Sequence, residues 1–586
     1  MLIFAPFVKK PKKAQKLPSD WRYASQVHLP KGSKGLRQDN ARDVTGLRPI
    51  TLFSVWYRLW AASRLQCSDC QAWLSSWWPP FATGGKKGHE IYHALIPLIN
   101  AAAKNQYIIS LDFSLAFDNC HPQLALHVLS KLDLPPFMCS MLMDQWTNQR
   151  RFISFQNFVL PTAESVGTSL PQGDPWSLLA MVAVLCPAMW EIDRTHPQVT
   201  QRNFVDDRSW GAPTVAEALN VFSIWERWSA VLGLQENKEK AQFYHAQAAG
   251  RRALCRHGIP AANVTDKICV LGHIFRPLQQ KSLNAKEKER ISSTLALIRR
   301  AACLPLPMCQ KRLVISVGPM SKVQFGWLMH VPPIAVCDSL QIAIRKALNE
   351  PKRSCIFLRD ILRGHNLHVG FRMLQTCVSA IFRFSQRCPL PEWTKLGVSG
   401  SLSTQFSRMG WLRTNPWTWR HPDAGKTISL DPNNSAYVSD IDLLSHRLRE
   451  GFRAYCYTMW QNTDRNDAAV CRDVPYSEIS CQAARKLSAG NAHAFAIMSG
   501  GYVSQASLQN RTGLPITCPC GQISTMEHEI WECPYVPEIL NRPRTPSNPI
   551  QMRLGWPIGN TNDEAVLAWM IACRKRSLAL RYKPPR

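Results

Sequence analysis

Long uninterrupted apolar stretches are missing from this chain: beyond its first residues no run of about 18 stands in it, the length a membrane span needs. A membrane is therefore not among the expected partners. Acidic residues are scarce beside basic ones, with 41 Asp and Glu against 70 Lys and Arg and a formal net charge of +29. That imbalance argues against a cationic partner and for a polyanion. A secretory signal is not recognisable either. Residues 1–8 are apolar, but the positive charge follows them instead of preceding them, and no small-residue cleavage site is seen. Without an oxidising destination, the 20 cysteines scattered over 586 residues read as reduced thiols, not as a disulfide framework. An intracellular setting, nuclear and/or cytoplasmic, is the expectation. No internal repeat is evident, which speaks against a solenoid.

What is present begins with length. A chain of 586 residues with 45% hydrophobic side chains can bury several cores, and three or four domains or subdomains are expected. Two aspartates stand side by side in Phe204-Val205-Asp206-Asp207, and a third, Asp112, ends the apolar run Tyr107-Ile108-Ile109-Ser110-Leu111. Adjacent carboxylates between apolar residues repel each other and are costly to desolvate unless a cation compensates them. Two divalent ions shared by three carboxylates would do so. Such a pair is also the standard apparatus of in-line nucleotidyl transfer.

The surrounding words are ordered. Asp112-Phe113-Ser114-Leu115-Ala116-Phe117-Asp118 comes first, then Leu170-Pro171-Gln172-Gly173-Asp174-Pro175, then Phe204-Val205-Asp206-Asp207. Upstream stand Leu29-Pro30-Lys31-Gly32 and Leu47-Arg48-Pro49-Ile50-Thr51-Leu52; downstream stand Gly233-Leu234, Asn237, Lys240 and Leu271-Gly272. Over roughly residues 18–280 this series resembles the reverse transcriptases of non-LTR (LINE-like) retrotransposons.

The resemblance implies an α+β right-hand polymerase of fingers, palm and thumb, followed by a mostly helical C-terminal region and a small zinc module. It implies RNA-directed DNA polymerase activity: dNTPs are added to the 3′-hydroxyl of a DNA primer or target against an RNA template. Asp112, Asp206 and Asp207 would hold two Mg²⁺ ions, Asp207 less directly. Lys240 matches a lysine that protonates the leaving pyrophosphate. Lys31 and Arg48 match positions that grip the triphosphate, where a point charge and a guanidinium fork suit the chemistry. Phe113 and Phe117 fall in the substrate-binding word. Phe117 occupies the bulky gate against a ribose 2′-hydroxyl, which disfavours an RNA-dependent RNA polymerase. Gln172 and Gly173 match the contact to the nascent base pair, glycine permitting close backbone approach. Asp118 is read as structural, and Asp174-Pro175 as a helix start.

Along the chain, 1–17 reads as a basic lead-in whose Lys9-Lys10-Pro11-Lys12-Lys13 serves nuclear import, phosphate binding, or solvation alone. Fingers are expected mainly in 18–106 and 133–168, and palm mainly in 107–132 and 169–280. Strands are expected at 25–29 and 107–112, a hairpin at 151–161, and a second hairpin tipped by Asp206. Helices are expected at 54–74, 122–132, 136–148, 177–190 and 214–232. A helical thumb-like region follows at 281–375, with helices at 285–302 and 342–348. A connecting region at 376–510 carries no motif; its aromatics either stack on template or serve as scaffold.

Residues 511–545 hold Cys518, Cys520, His528 and Cys533, four soft ligands within a short span that suit tetrahedral Zn²⁺. Similar knuckles follow the polymerase in the resembled elements. The tail at 546–586 is basic and expected to be flexible from 574 on. A looser pattern of Cys67, Cys70, His89 and His93 is a weak rival zinc site. The resembled family has Ser-Pro where this chain has Ser177-Leu178. No endonuclease or RNase H segment is recognised, so target nicking would call on a separate or upstream nuclease. A decayed or domesticated protein that binds nucleic acid without polymerising is the alternative reading.

Overall fold

The computed structural model describes residues 17–30, 47–86, 89, 91–155, 158–274, 283, 285–325, 327, 332–348, 355–363, 367–385, 398–489, 491–502, 517–518, 520–535, 541–559 and 562–581. Lys31, the basic lead-in before residue 17 and the end of the chain beyond 581 lie outside them. The chain divides into two compact units, Met1–Lys281 and Ser282–Arg586.

In the first unit β1 (Tyr23–Pro30) runs antiparallel to β2 (Leu47–Phe53). Ser54 then caps a helix by accepting from the Tyr57 amide, as short hydroxyl side chains do at this position. The single expected helix is two: α1 (Val55–Gln66) and α2 (Ser68–Trp77) break at Cys67, whose φ of −67° and ψ of 150° are extended. After α3 (Ile91–Ala103) come β3 (Tyr107–Leu111) and β4 (Phe113–Ser114). Helices α4 (Pro122–Lys131) and α5 (Pro136–Thr147) each begin on proline, whose fixed φ and missing N–H suit a first turn. The expected hairpin is formed by β5 (Arg150–Phe155) and β6 (Phe158–Val159), and β5 also runs parallel to β1.

Helix α6 (Pro175–Thr195) is long and apolar enough by length and composition to cross a membrane, contrary to the sequence reading, and most of it is buried. Its apolar character is that of a core helix, packed with Trp146, Trp210 and Trp225 in one hydrophobic cluster. Strands β7 (Thr200–Phe204) and β8 (Asp207–Ala212) form the second hairpin, and α7 (Val215–Leu232) follows. Thr214 caps α7, and Gly233 ends it at φ 70°, the left-handed conformation glycine adopts without penalty. Then come β9 (Gln235–Glu236), β10 (Gln242–Tyr244) and β11 (Val264–Thr265). The central sheet has the order β11-β10-β3-β8-β7, with β4 and β9 paired beside it.

The second unit is mainly helical. It contains α8 (Ala285–Cys303), α9 (Met308–Val317), α10 (Ile334–Ala347), α11 (Ile356–Arg363) and α12 (Val369–Ser385). The motif-free region is ordered structure where described. A three-stranded antiparallel sheet is made of β12 (Leu412–Asn415), β13 (Thr418–His421) and β14 (Lys426–Ser429). It is followed by α13 (Ile441–Gln461) and α14 (Cys481–Ser488). Several of its aromatics are core: Trp411, Trp419 and Trp460 are fully buried, and Phe406 stacks on Trp419 at 4.2 Å. The basic tail is not loose where described. Residues 574–581 belong to α15 (Asp563–Arg581), which packs Val566, Trp569, Met570 and Cys573 against Trp531 and Cys533.

Candidate active site

Hydrogen-bonded register brings the three aspartates together. Strand β3 pairs with β8 so that Leu111 faces Arg208, which puts Asp112 one step beyond the strand end next to the hairpin. Phe204 pairs with Asp207, leaving Val205 and Asp206 as the two-residue turn. Val205 has φ 60°, a costly conformation for a β-branched residue. What holds it is the segment below. Thr83 N–H donates to the Asn203 carbonyl at 2.8 Å, and Asn203 N–H donates to the Phe81 carbonyl at 3.0 Å. A Cβ on Gly84 would stand 2.7 Å from the Val205 nitrogen and 3.0 Å from the Phe204 carbonyl carbon. Only glycine lets this loop press against the hairpin.

The cluster is electrostatically strained. Burial, then Asp206 and Asp112, push the Asp207 carboxyl up to about 7. Asp206 is also raised, by burial and by Asp112, while Arg208 and Arg48 draw it down. Carboxylate oxygens are the donors a hard divalent cation takes, although the three do not all close to within 4.8 Å of one another. Lys240 reaches the same place through the β4–β9 pairing. Asn237 N–H donates to the Asp112 carbonyl at 2.9 Å, and Lys240 Nζ lies 2.6 Å from Asp112 Oδ2, with the lysine 64% exposed.

Gln172 and Gly173 dock on β2: Thr51 N–H donates to the Gln172 carbonyl at 2.6 Å. Gly173 has φ 115°, and a Cβ there would fall 2.4 Å from the Thr51 oxygen. Close backbone approach is thus its use here, toward the protein's own strand. The Gln172 amide donates to Asp118 Oδ2 at 3.0 Å, which makes Asp118 a brace. Phe117 is half-buried against the core and Arg48 is exposed on β2. Phe113 is buried with its ring 3.4 Å from the Arg208 guanidinium, so its side chain belongs to the interior and not to a substrate surface. Asp174 caps α6 and accepts from Tyr57 Oη at 3.0 Å, and burial pushes its carboxyl up to about 6.

Sequence reading missed the pair behind the aspartates. Arg208 is fully buried, forks onto both Glu236 oxygens at 2.6 Å, and lies 5.1 Å from the Trp225 ring. Ser229 Oγ donates to the same glutamate at 2.6 Å. An arginine after two aspartates gave a hint; that Glu236 answers it depended on β4 and β9 meeting. Gly84 was missed for the same reason.

Among the described residues, Cys518, Cys520, His528 and Cys533 form the set whose ligand atoms all lie within 4.8 Å of one another. Cys518 Sγ and Cys533 Sγ are 3.5 Å apart, and Cys520 Sγ and His528 Nε2 are 3.1 Å apart. Tetrahedral zinc with bonds of about 2.3 Å to sulfur needs S···S of about 3.8 Å, so the donors fit it with small outward shifts. Gly521 at φ 88° turns the loop, and Cys518 N–H donates to the Gln522 carbonyl at 2.7 Å. The rival pattern is not gathered: His89 and His93 stack at 5.0 Å, without Cys67 or Cys70 in any such set.

Residues 30–275 match the profile of the family described as reverse transcriptase (RNA-dependent DNA polymerase). Among solved structures, a Candida tropicalis telomerase in complex with a fragment of telomeric RNA is similar at 10% identity and TM-score 0.36, covering 67% of this chain and 63% of that one. A Candida albicans telomerase gives 10% and 0.33, covering 67% and 64%. An RNA-dependent RNA polymerase of a human picorbirnavirus gives 10% and 0.28, covering 66% and 64%. The chain spans just under two thirds of the length of these structures. No curated protein matches the sequence. The matched segment, residues 30–275, contains the three aspartates, and the described residues are mixed α/β with many helices.

Proposed function

From a reverse-transcriptase segment at residues 30–275, we propose that this chain is an RNA-directed DNA polymerase of a non-LTR retrotransposon, extending a nicked DNA target. The observation that carries the reading is the meeting of Asp112, Asp206 and Asp207 at one end of the central sheet, with Lys240 at Asp112.

When bound, two Mg²⁺ ions would lower the pKa of the primer hydroxyl and neutralise the triphosphate and its leaving group. Asp112 and Asp206 are the direct ligands in this reading, and Asp207 supports or shares them. Arg208, held by Glu236, stands behind the aspartates and favours their charged forms. Lys240, exposed beside Asp112, would give a proton to departing pyrophosphate in this reading. Arg48, with Lys31 outside the described residues, supplies cationic contacts to the triphosphate. Phe117 limits the ribose side, and Gln172 and Gly173 hold the base-pair platform against β2. Cys518, Cys520, His528 and Cys533 hold a structural Zn²⁺. A separate or upstream endonuclease supplies the nick.

Primer extension on an RNA template with dNTPs and Mg²⁺ tests this, comparing the chain with Asp206→Asn. DNA synthesis lost in the variant supports the reading. Absent synthesis by the unsubstituted chain, with salt-dependent binding of primer–template retained, would replace it with a nucleic-acid-binding protein that no longer polymerises.

A further inference from the structure

A cavity of about 520 Å³ opens in the second unit, away from any motif. His446, Arg449 and Arg453 reach it from α13, Arg485 and Lys486 from α14, and Arg312 from α9. The α13 residues follow one another at i, i+3 and i+7, the spacing of a single helix face. Among the described residues no carboxylate lines the cavity. One neighbour is partly neutralised: Arg453 Nη1 lies 2.6 Å from Glu450 Oε1, and Glu450 is also held by Tyr476 Oη at 3.0 Å. Arg485 Nε is buried without an acceptor. Burial and the nearby Arg453 and Arg449 push the Arg485 guanidinium below its usual range. Gathering cations in a concavity costs stability, and a bound anion repays that cost through charge-assisted hydrogen bonds.

We propose that this cavity binds backbone phosphates of single-stranded RNA, as a site separate from the aspartate cluster. Guanidinium groups suit phosphate because their forked donors bind two oxygens at once. Two of the lining residues, Leu362 and Ala489, are apolar and the others are cationic or polar, which fits a phosphodiester strand better than a membrane surface. The choice of RNA over another phosphate source rests on the proposed polymerase reading; the preference for an anion does not.

The test compares the full chain with an Arg449→Gln/Arg485→Gln/Lys486→Gln variant, titrating a short fluorescent single-stranded RNA over a salt series. Expected are an affinity loss of about tenfold or more and a salt slope shallower by about two, since each phosphate contact on a single strand contributes about 0.7. Extension of a pre-annealed primer–template at saturating concentration stays unchanged. Asp206→Asn gives the opposite pattern, with extension lost and RNA affinity kept, so failure of either idea is separately visible. Wild-type affinity and slope in the triple variant would overturn the proposal. So would competition showing that the site takes inorganic triphosphate while RNA affinity ignores the substitutions. If the triple variant melts early, Lys486→Gln alone decides, since Lys486 is exposed: a salt slope shallower by about 0.7 upholds the proposal, and an unchanged slope refutes it.

Discussion

Glu236→Gln is the most informative perturbation of the palm, because it leaves shape intact and removes one charge from a pair facing the core. Arg208 is fully buried, and its two contacts to Glu236 are 2.6 Å each. At a charge separation of about 4 Å and an effective dielectric of about 20, the attraction is about 4 kcal/mol. Arg208 has already lost its water, so the variant keeps that cost while losing the attraction. The Phe113 ring, 3.4 Å away, is present in both forms and cancels from the difference. The net loss should be about 4 kcal/mol, inside the range for breaking one side of a buried pair. Hydrogen exchange of the β8 amides Ser209–Ala212 reads this locally, which matters in a chain too large for a single unfolding transition. A further arm, Arg208→Met with Glu236→Leu, should regain most of the loss, because replacing both charges by apolar groups is often neutral. Protection of those amides unchanged in Glu236→Gln would refute the argument. Equal loss in the double variant would show that shape, not charge, is what the site needs.

Other consequences are as specific. Gly84→Ala should cost about 1–3 kcal/mol by overpacking and slow primer extension at least tenfold, because the added carbon meets the Val205 backbone at 2.7 Å; steady-state kinetics with a melting curve checks it. Asp174 has a folded pKa near 6 against an unfolded value near 3.9, so the native state holds its proton more tightly. Its contribution to stability is therefore full below about pH 4 and is lost as pH rises to about 6. Melting temperatures of the chain and Asp174→Asn should shift relative to each other across that window and run parallel above it. The Cys518, Cys520, His528 and Cys533 set should carry one zinc per chain by atomic absorption; Cys520→Ser should lose it and loosen hydrogen exchange in α15, and a purified chain without zinc would sink the assignment.

The sequence by itself determined the local chemistry. Short apolar runs, prolines at helix starts, capping residues and paired aspartates each act within a few residues, so β3, α4, α5, α6 and the Asp206 hairpin could be read before any coordinates. The four zinc-type ligands were legible for the same reason. Partners far apart in the chain were not. Glu236 meets Arg208 because β9 pairs with β4, and Gly84 meets Val205 because an irregular loop lies along β7. Phe113 turned inward because the cation beneath it is neutralised and buried. The helical tail and the basic cavity between α13 and α14 were hidden because charge in a sequence reads as solvent exposure, whereas packing decides which cations share one concave surface. Side-chain spacing fixed which residues could act. Only the long-range register of strands and the packing of helices decided which of them stand together.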